Sequence, residues 1–312
     1  MSSNYGLILV ILTFVSGIIW LLDAFTDGKK RKEALAKLHA QDSEPAEEAI
    51  NAVIKEPIHV DYAKSFFPIL FIIVVLRSFL YEPFQIPSAS MKPTLLEGDF
   101  ILVNKFNYGL RLPVTGSKFI ETGSPQRGDV AVFKPPHRPQ EDYIKRVIGL
   151  PGDTVIYTRN KELYIIPHCP SDIAKSECPE KMHVKKELLV GEKYIDRNPD
   201  TGIEKVNDHY IETIDGVSHG ILNRPEVRHV NQFNNEFDMR FVVPPKSYFV
   251  MGDNRDNSQD SRFWPNGMHF VAEDQLVGQA VAIWLHLDFG VKTKFLTWVP
   301  TGIDIGRIGS IE

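Results

Sequence analysis

The stretch Tyr143-Ile144-Lys145-Arg146-Val147-Ile148-Gly149-Leu150, followed at once by Pro151-Gly152-Asp153, decides how the larger part of the chain is read. A short apolar run bounded by Gly and Pro reads as a β-strand. Alternation along a strand places Lys145 on one face with Tyr143 and Val147, among partly apolar neighbours. An ammonium held there loses its water. Desolvation disfavours the charged form, so a neutral amine able to accept a proton becomes available near pH 7.

Outward from this strand, short apolar stretches punctuated by Gly and Pro recur at 100–103, 130–133, 154–157, 163–166, 241–243, 248–251 and 275–286. They predict a mainly β fold with an antiparallel sheet. From about 154 to 244 the chain is more polar and rich in Asn and Asp, and it holds both cysteines. We read it as an inserted β-rich subdomain. The domain carrying Lys145 is then discontinuous, comprising residues 82–153 and 245–312. No internal repeat is visible.

The first eighty residues follow a different rule. Residues 5–22, YGLILVILTFVSGIIWLL, carry no charge and approach the length of helix needed to cross a bilayer, with Tyr5 and Trp20 near the two interfaces. A cleaved signal peptide is the alternative. However, the basic residues follow the run, and no small-residue cleavage site precedes Asp23. A second apolar run, 65–81, is interrupted only by Arg77, which can snorkel to an interface, and Pro68 fits the first turn of a helix. A buried core helix is the competing explanation for a run of that length. Lys29, Lys30, Arg31 and Lys32 follow the first run and Lys64 abuts the second, so the charged loop between them is expected on the cytoplasmic side. The expected order is therefore a first membrane helix (1–26), a cytoplasmic loop (27–64), a second membrane helix (65–81) and a large domain outside the cytoplasm. Cys169 and Cys178 suit that placement, because a disulfide persists in an oxidising compartment and would contribute roughly 2 to 3 kcal/mol by the loop-entropy argument. Two buried free thiols are the alternative.

A net charge of -5 argues against a nucleic-acid partner, which would need clustered Lys and Arg. The two cysteines lack Cys-x-x-Cys spacing, and no His-Glu-x-x-His run occurs, so neither a metal nor another cofactor is expected. The ten histidines are scattered, and none sits in a Ser/His/Asp constellation.

Immediately after the second apolar run, residues 82–95 read EPFQIPSASMKPTL, an irregular Pro- and Ser-containing segment able to expose a hydroxyl. A serine can hydrolyse a peptide only when a base removes its proton and donors face the developing oxyanion. Lys145 is the candidate base. Five stretches carry a resemblance: PSASMKPTL (87–95), GDFILVNKF (98–106), RGDVAVFKPP (127–136), DYIKRVIGLPGD (142–153) and GDNRDNSQDSR (252–262). Together, and in this order, they resemble the bacterial type I signal peptidases, particularly the proteobacterial form with two membrane helices, and the likeness covers nearly the whole chain.

The resemblance implies that Ser90 is the nucleophile and Lys145 the general base of a Ser/Lys dyad acting through an acyl-enzyme. It implies that the Ser88 hydroxyl joins the oxyanion hole, that Ser258 orients the lysine, and that Asp260 and Arg262 form an ion pair near the site, which we treat as scaffolding. Spaced two apart on an irregular segment, such a pair is ordinarily solvated and contributes about 0 to 1 kcal/mol. Phe84, Ile86, Met91, Leu95, Val132 and Ile144 would line shallow pockets for small residues one and three positions before the cut, the Ala-x-Ala pattern. An extended substrate would pair with strand edges near Ile144 and Phe84. The expected partners are preprotein signal peptides and membrane phospholipid at the periplasmic face of the inner membrane, close to the protein-export translocon. One departure stands out: after Phe263-Trp264 the chain reads Pro265-Asn266-Gly267-Met268-His269-Phe270, a lengthened loop. Trp284, Phe295 and Trp298 could form an apolar surface resting on lipid, or be buried in the core. A self-processing Ser/Lys protease and a non-catalytic membrane-anchored scaffold are the alternative functions.

Overall fold

The protein was analysed as a computed structural model, which describes residues 2–41, 45–113, 115–170, 175–197, 204–227, 238–289 and 300–311. The chain divides into two compact units, residues 1–80 with 111–116, and residues 81–110 with 117–312.

The first unit is helical: α1 (Ser2–Phe25), α2 (Asp27–Gln41), α3 (Glu47–Ile54) and α4 (Ile58–Val75), the last continued by a π-helical turn at Leu76–Leu80. Gly6–Gln41 and Ile58–Leu80 are each long and apolar enough to cross a membrane. Their outward residues, among them Ile11, Phe14, Ile69 and Ile72, are apolar and exposed, which suits a lipid solvent. α1 and α4 approach closely where Gly17 meets the Phe67 ring; a Cβ on Gly17 would stand 2.7 Å from Phe67 Cε2. The absence of a side chain there lets the helices pack.

Two expectations are corrected. The second apolar helix begins at Ile58, seven residues before Ser65, because the polar residues His59, Asp61 and Lys64 occupy its first turns and interrupt the hydropathy signal. Pro68 consequently lies inside α4 and not in its first turn. Proline there removes the N–H that would bond to the Lys64 carbonyl, a defect membrane helices tolerate when neighbouring groups re-satisfy the carbonyl. The charged connector is helical, and neither α2 nor α3 buries a residue.

The second unit is mainly β. The strands run in chain order: β1 (Tyr81–Gln85), β2 (Asp99–Asn104), β3 (Leu110–Arg111), β4 (Lys118–Ile120), β5 (Val130–Phe133), β6 (Tyr143–Gly149), β7 (Thr154–Tyr157), β8 (Leu163–Ile166), β9 (Met182–Arg197), β10 (Glu204–Ile214), β11 (Val217–Asn223), β12 (Met239–Val242), β13 (Ser247–Met251), β14 (Val271–Ala272), β15 (Leu276–Asp288), β16 (Gly302–Ile303) and β17 (Gly309–Ser310). The first sheet has the order β1-β2-β15-β5-β6-β13-β14, with β16 and β17 along β15; the second has the order β11-β10-β9-β8-β7-β12. Neighbouring strands of the two sheets are antiparallel.

β5 and β6 are almost wholly buried, which explains their continuous apolar character. β1 lies at the sheet edge, the position where Pro83 omits no ladder bond that the fold requires. The chain leaves the first sheet after β6 and returns to it at β13. These two crossings are tied together: Gly152 N–H donates to the Val243 carbonyl at 2.9 Å, and Val243 N–H to that of Asp153 at 2.8 Å. One apolar cluster serves both sheets, with Ile148, Phe249 and Met251 from the first packed on Val155, Leu163, Ile165 and Phe241 from the second. β9, β10 and β11 were not read individually from the sequence. Their polar and apolar residues do not alternate cleanly, and Val190 and Ile195 lie exposed. Cys169 and Cys178 are disulfide-bonded, as their placement suggested.

Phe249 is fully buried in the shared cluster. Phe249→Ala is expected to lower the unfolding free energy by about 3–5 kcal/mol, measured by denaturant titration of the detergent-solubilised protein.

Candidate active site

Ser90 lies on a 3-10 turn, Ala89–Met91, entered through the extended Ser88. Lys145 projects from β6 and is 4% exposed. Its Nζ lies 2.7 Å from Ser90 Oγ and 2.7 Å from the Ile144 carbonyl oxygen, donating to both when charged. Burial pushes the Lys145 amine down to about 8, although the carboxylates of Asp260 and Asp253 pull it upward. Roughly a tenth of the amine is then neutral at pH 7. In that form the contact with Ser90 reverses, and the serine hydroxyl donates.

Ser88 Oγ stands 3.4 Å from Ser90 Oγ. The Ser90 loop is fixed from behind by Asn254, whose N–H donates to the Ser90 carbonyl at 3.1 Å and whose Nδ2 donates to that of Ala89 at 3.0 Å. Gly252 allows this approach: a Cβ there would meet Ser90 O at 2.5 Å and Ser258 Oγ at 2.2 Å. Ser258 is buried, and its Oγ makes no well-formed hydrogen bond. It adds to the depression of the Asp260 pKa, while the lysine amine is held against Ser90 by donating to the Ile144 carbonyl.

Ile86, Met91, Leu95, Val132 and Ile144 share one buried cluster, against which Phe84 packs half-buried. β13 pairs with β6 only from Arg146 onward, and β5 takes the other side, so residues 143–145 keep one open edge. Among the described residues β1, which carries Phe84, pairs with β2 alone.

Asp260 and Arg262 correct the expectation of a solvated pair. Both side chains are 0% exposed and joined by two hydrogen bonds, of 2.9 and 2.8 Å. Arg262 also donates to the Arg255 carbonyl at 2.7 Å, and Asp260 accepts from Gly252 N–H at 3.0 Å. Arginine is the first source of the depressed Asp260 pKa once the opposing effect of burial is met. The sequence reading missed the companions of this pair. Arg146, next to Lys145 but on the opposite face of β6, is fully buried and makes a bidentate pair with Asp253, which also accepts from Thr94 Oγ1 at 2.6 Å. Arg255 pairs with Glu212 of β10 in the same manner. The available signal was Arg146 itself: a charge inside a strand that reads as buried on both faces demands a partner.

The loop after Trp264 forms a 3-10 turn, Pro265–Gly267, and His269 Nδ1 donates to the Ser261 carbonyl at 2.7 Å. Trp284 is half-exposed against the Phe100 ring, whereas Phe295 and Trp298 lie outside the described residues.

Residues 59–285 match the family described as Signal peptidase, peptidase S26, which makes the chain a peptidase. The signal peptidase I of Pseudomonas fluorescens is 45% identical over 294 residues, covering 91% of this chain and 93% of that protein. That of Pseudomonas aeruginosa is 44% identical with the same coverage, and that of Buchnera aphidicola from Acyrthosiphon pisum is 38% identical across the whole of both chains. The chain belongs to the signal peptidase family.

Replacing Arg262 by Met would leave the Asp260 carboxylate buried without its cation. The expected loss is about 3–5 kcal/mol of unfolding free energy, read from denaturant titrations of the two proteins.

Proposed function

We propose that this protein cuts signal peptides from exported preproteins with Ser90 as nucleophile and Lys145 as general base, anchored in the inner membrane by α1 and α4. The contact of 2.7 Å between a desolvated amine and the Ser90 hydroxyl carries the reading. Ser90 Oγ attacks the scissile carbonyl carbon as its proton passes to the neutral Lys145 Nζ. The oxyanion is met by the Ser88 hydroxyl and the backbone N–H of Ser90. Collapse of the tetrahedral intermediate breaks the C–N bond, and Lys145 returns the proton to the departing amine of the mature protein. A water, deprotonated by the same amine, then hydrolyses the ester and releases the signal peptide's new carboxylate.

The substrate backbone would lie along the open edge at 143–145 and along β1, bonding without regard to side chains. Selection of small residues would fall to the wall built by Ile86, Met91, Val132 and Ile144, with Phe84 and Leu95 beside them. Ser258, set beside Asp260, and the Asp260–Arg262 pair shape the surroundings of the lysine. The basic cluster at 29–32 supports a cytoplasmic side for α2 and α3 and a periplasmic side for the β unit. Acting there, the enzyme meets phospholipid and works near the export translocon, and Trp284 offers an aromatic ring suited to an interface.

Purified wild type should cut a preprotein after its Ala-x-Ala site, giving one new N-terminus, while Ser90→Ala and Lys145→Ala should lose at least about 1,000-fold in kcat. Equal activity in all three proteins would remove the dyad. Because the neutral amine is the active form, kcat/KM should fall tenfold per pH unit below about 8. Asp260→Asn removes a carboxylate that holds the ammonium, so its acid limb should lie at lower pH than that of the wild type.

A further inference from the structure

Residues 253–256 form a turn gripped on two sides. From the second sheet, the backbone N–H of Leu222 in β11 donates to the Asp253 carbonyl at 2.9 Å, and Leu222 bridges to Asn254. Glu212 of β10 makes its bidentate pair with Arg255, each side chain 1% exposed. The Asp256 carboxylate accepts from Arg224 N–H at 2.6 Å and from Lys161 Nζ at 2.7 Å. His219 of β11 is buried beside this seam, its Nε2 3.4 Å from Glu212 and 3.9 Å from Asp253. Four consecutive turn residues are thus each held by the second sheet or by the loop residues that flank its strands. On the opposite side the same turn holds the Ser90 loop, through Asn254 to Ser90 and Ala89 and through Asp253 to Thr94, while Asp253 also pairs with Arg146 of β6.

We propose that Glu212, with His219 beside it, is a positioning residue for Ser90: the second sheet sets the place of the nucleophile through the 253–256 turn. The proposal rests on the reading of Ser90 as nucleophile. Arg255 is always charged, and its guanidinium is buried; without the Glu212 carboxylate it must find water or another acceptor, which displaces the turn. Asn254 is its neighbour, so the displacement is passed to the Ser90 carbonyl and hence to the hydroxyl facing Lys145. The apolar packing of the second sheet, through Val155, Leu163, Ile165 and Ile214, is a separate set of contacts. The seam can therefore be loosened while that packing remains.

The test uses the full chain in detergent: wild type, Glu212→Gln, Glu212→Asp and His219→Asn. For each, kcat and KM on a preprotein are measured together with the rate at which p-nitrophenyl acetate acylates Ser90 and the thermal midpoint. Glu212→Gln should lose about 10- to 100-fold in kcat and in acylation rate, with KM within about twofold of wild type, because the reacting atoms are misplaced and substrate binding is spared. Glu212→Asp, which restores the charge on a shorter arm, should recover part of the loss, and His219→Asn should show a smaller one. Wild-type kcat and acylation in a folded Glu212→Gln protein would overturn the proposal, even if its thermal midpoint fell. Should Glu212→Gln fail to fold, Glu212→Asp and His219→Asn are judged by the same criteria. A wild-type protein that leaves the preprotein uncut overturns the nucleophile reading itself; a wild type that cuts, matched by its variants, overturns only the positioning role.

Discussion

The Lys145 amine is kept dry, and the rest of the site depends on that. Burial is what brings its pKa to about 8, against the pull of two carboxylates, Asp260 and Asp253. Those acids do not hold the lysine fully charged because each is already engaged by a buried guanidinium, Arg262 for one and Arg146 for the other. An unpaired carboxylate in either place would tie the lysine down as an ammonium, as a buried ion pair does elsewhere. The two arginines therefore set how strongly the acids act on Lys145 without touching it. The same pairs fix the 252–262 segment, and with it Gly252 and Asn254, against the backbone of Ser90. One set of interactions thus bears on both the pKa of the Lys145 amine and the place of the Ser90 hydroxyl.

Much of this was legible in the chain, and the reason differs from element to element. β5, β7 and β8 are short apolar runs ended by turns, so their limits coincide with the observed strands. The lysine could be found because strand alternation put it among apolar neighbours, and Ser90 because its segment belongs to a recognised family pattern. The charged seam was hidden because its partners are far apart: Arg146 meets Asp253 107 residues later, and Arg255 meets Glu212 43 residues earlier. Spacing along the chain carries no trace of such pairings. The start of α4 was hidden for a local reason, since His59, Asp61 and Lys64 dilute its hydropathy before the apolar run begins.

The second sheet shows a different limit. β9 runs for 16 residues and β10 for 11, yet neither presents a clean apolar face, and their pairing shifts register between Asp208 and Tyr210. A bulge of that kind turns side chains without leaving a mark in composition. What the sheet buries toward the first sheet is partly ionic, and a buried Glu or His in a polar stretch reads as surface until its partners are placed.

The chain departs from the first sheet and returns to it across a pair of backbone hydrogen bonds between the segments 152–153 and 243. With both ends of the excursion fastened side by side, the entropic cost of closing it grows only with the logarithm of its length. Residues at the far end of the excursion can then be gained or lost over evolutionary time without disturbing β6 or β13. The near end has no such freedom, because it touches the 253–256 turn. Length variation among relatives should accordingly gather between β8 and β10, outside the strands themselves, while the spacing from β10 through β11 stays constant.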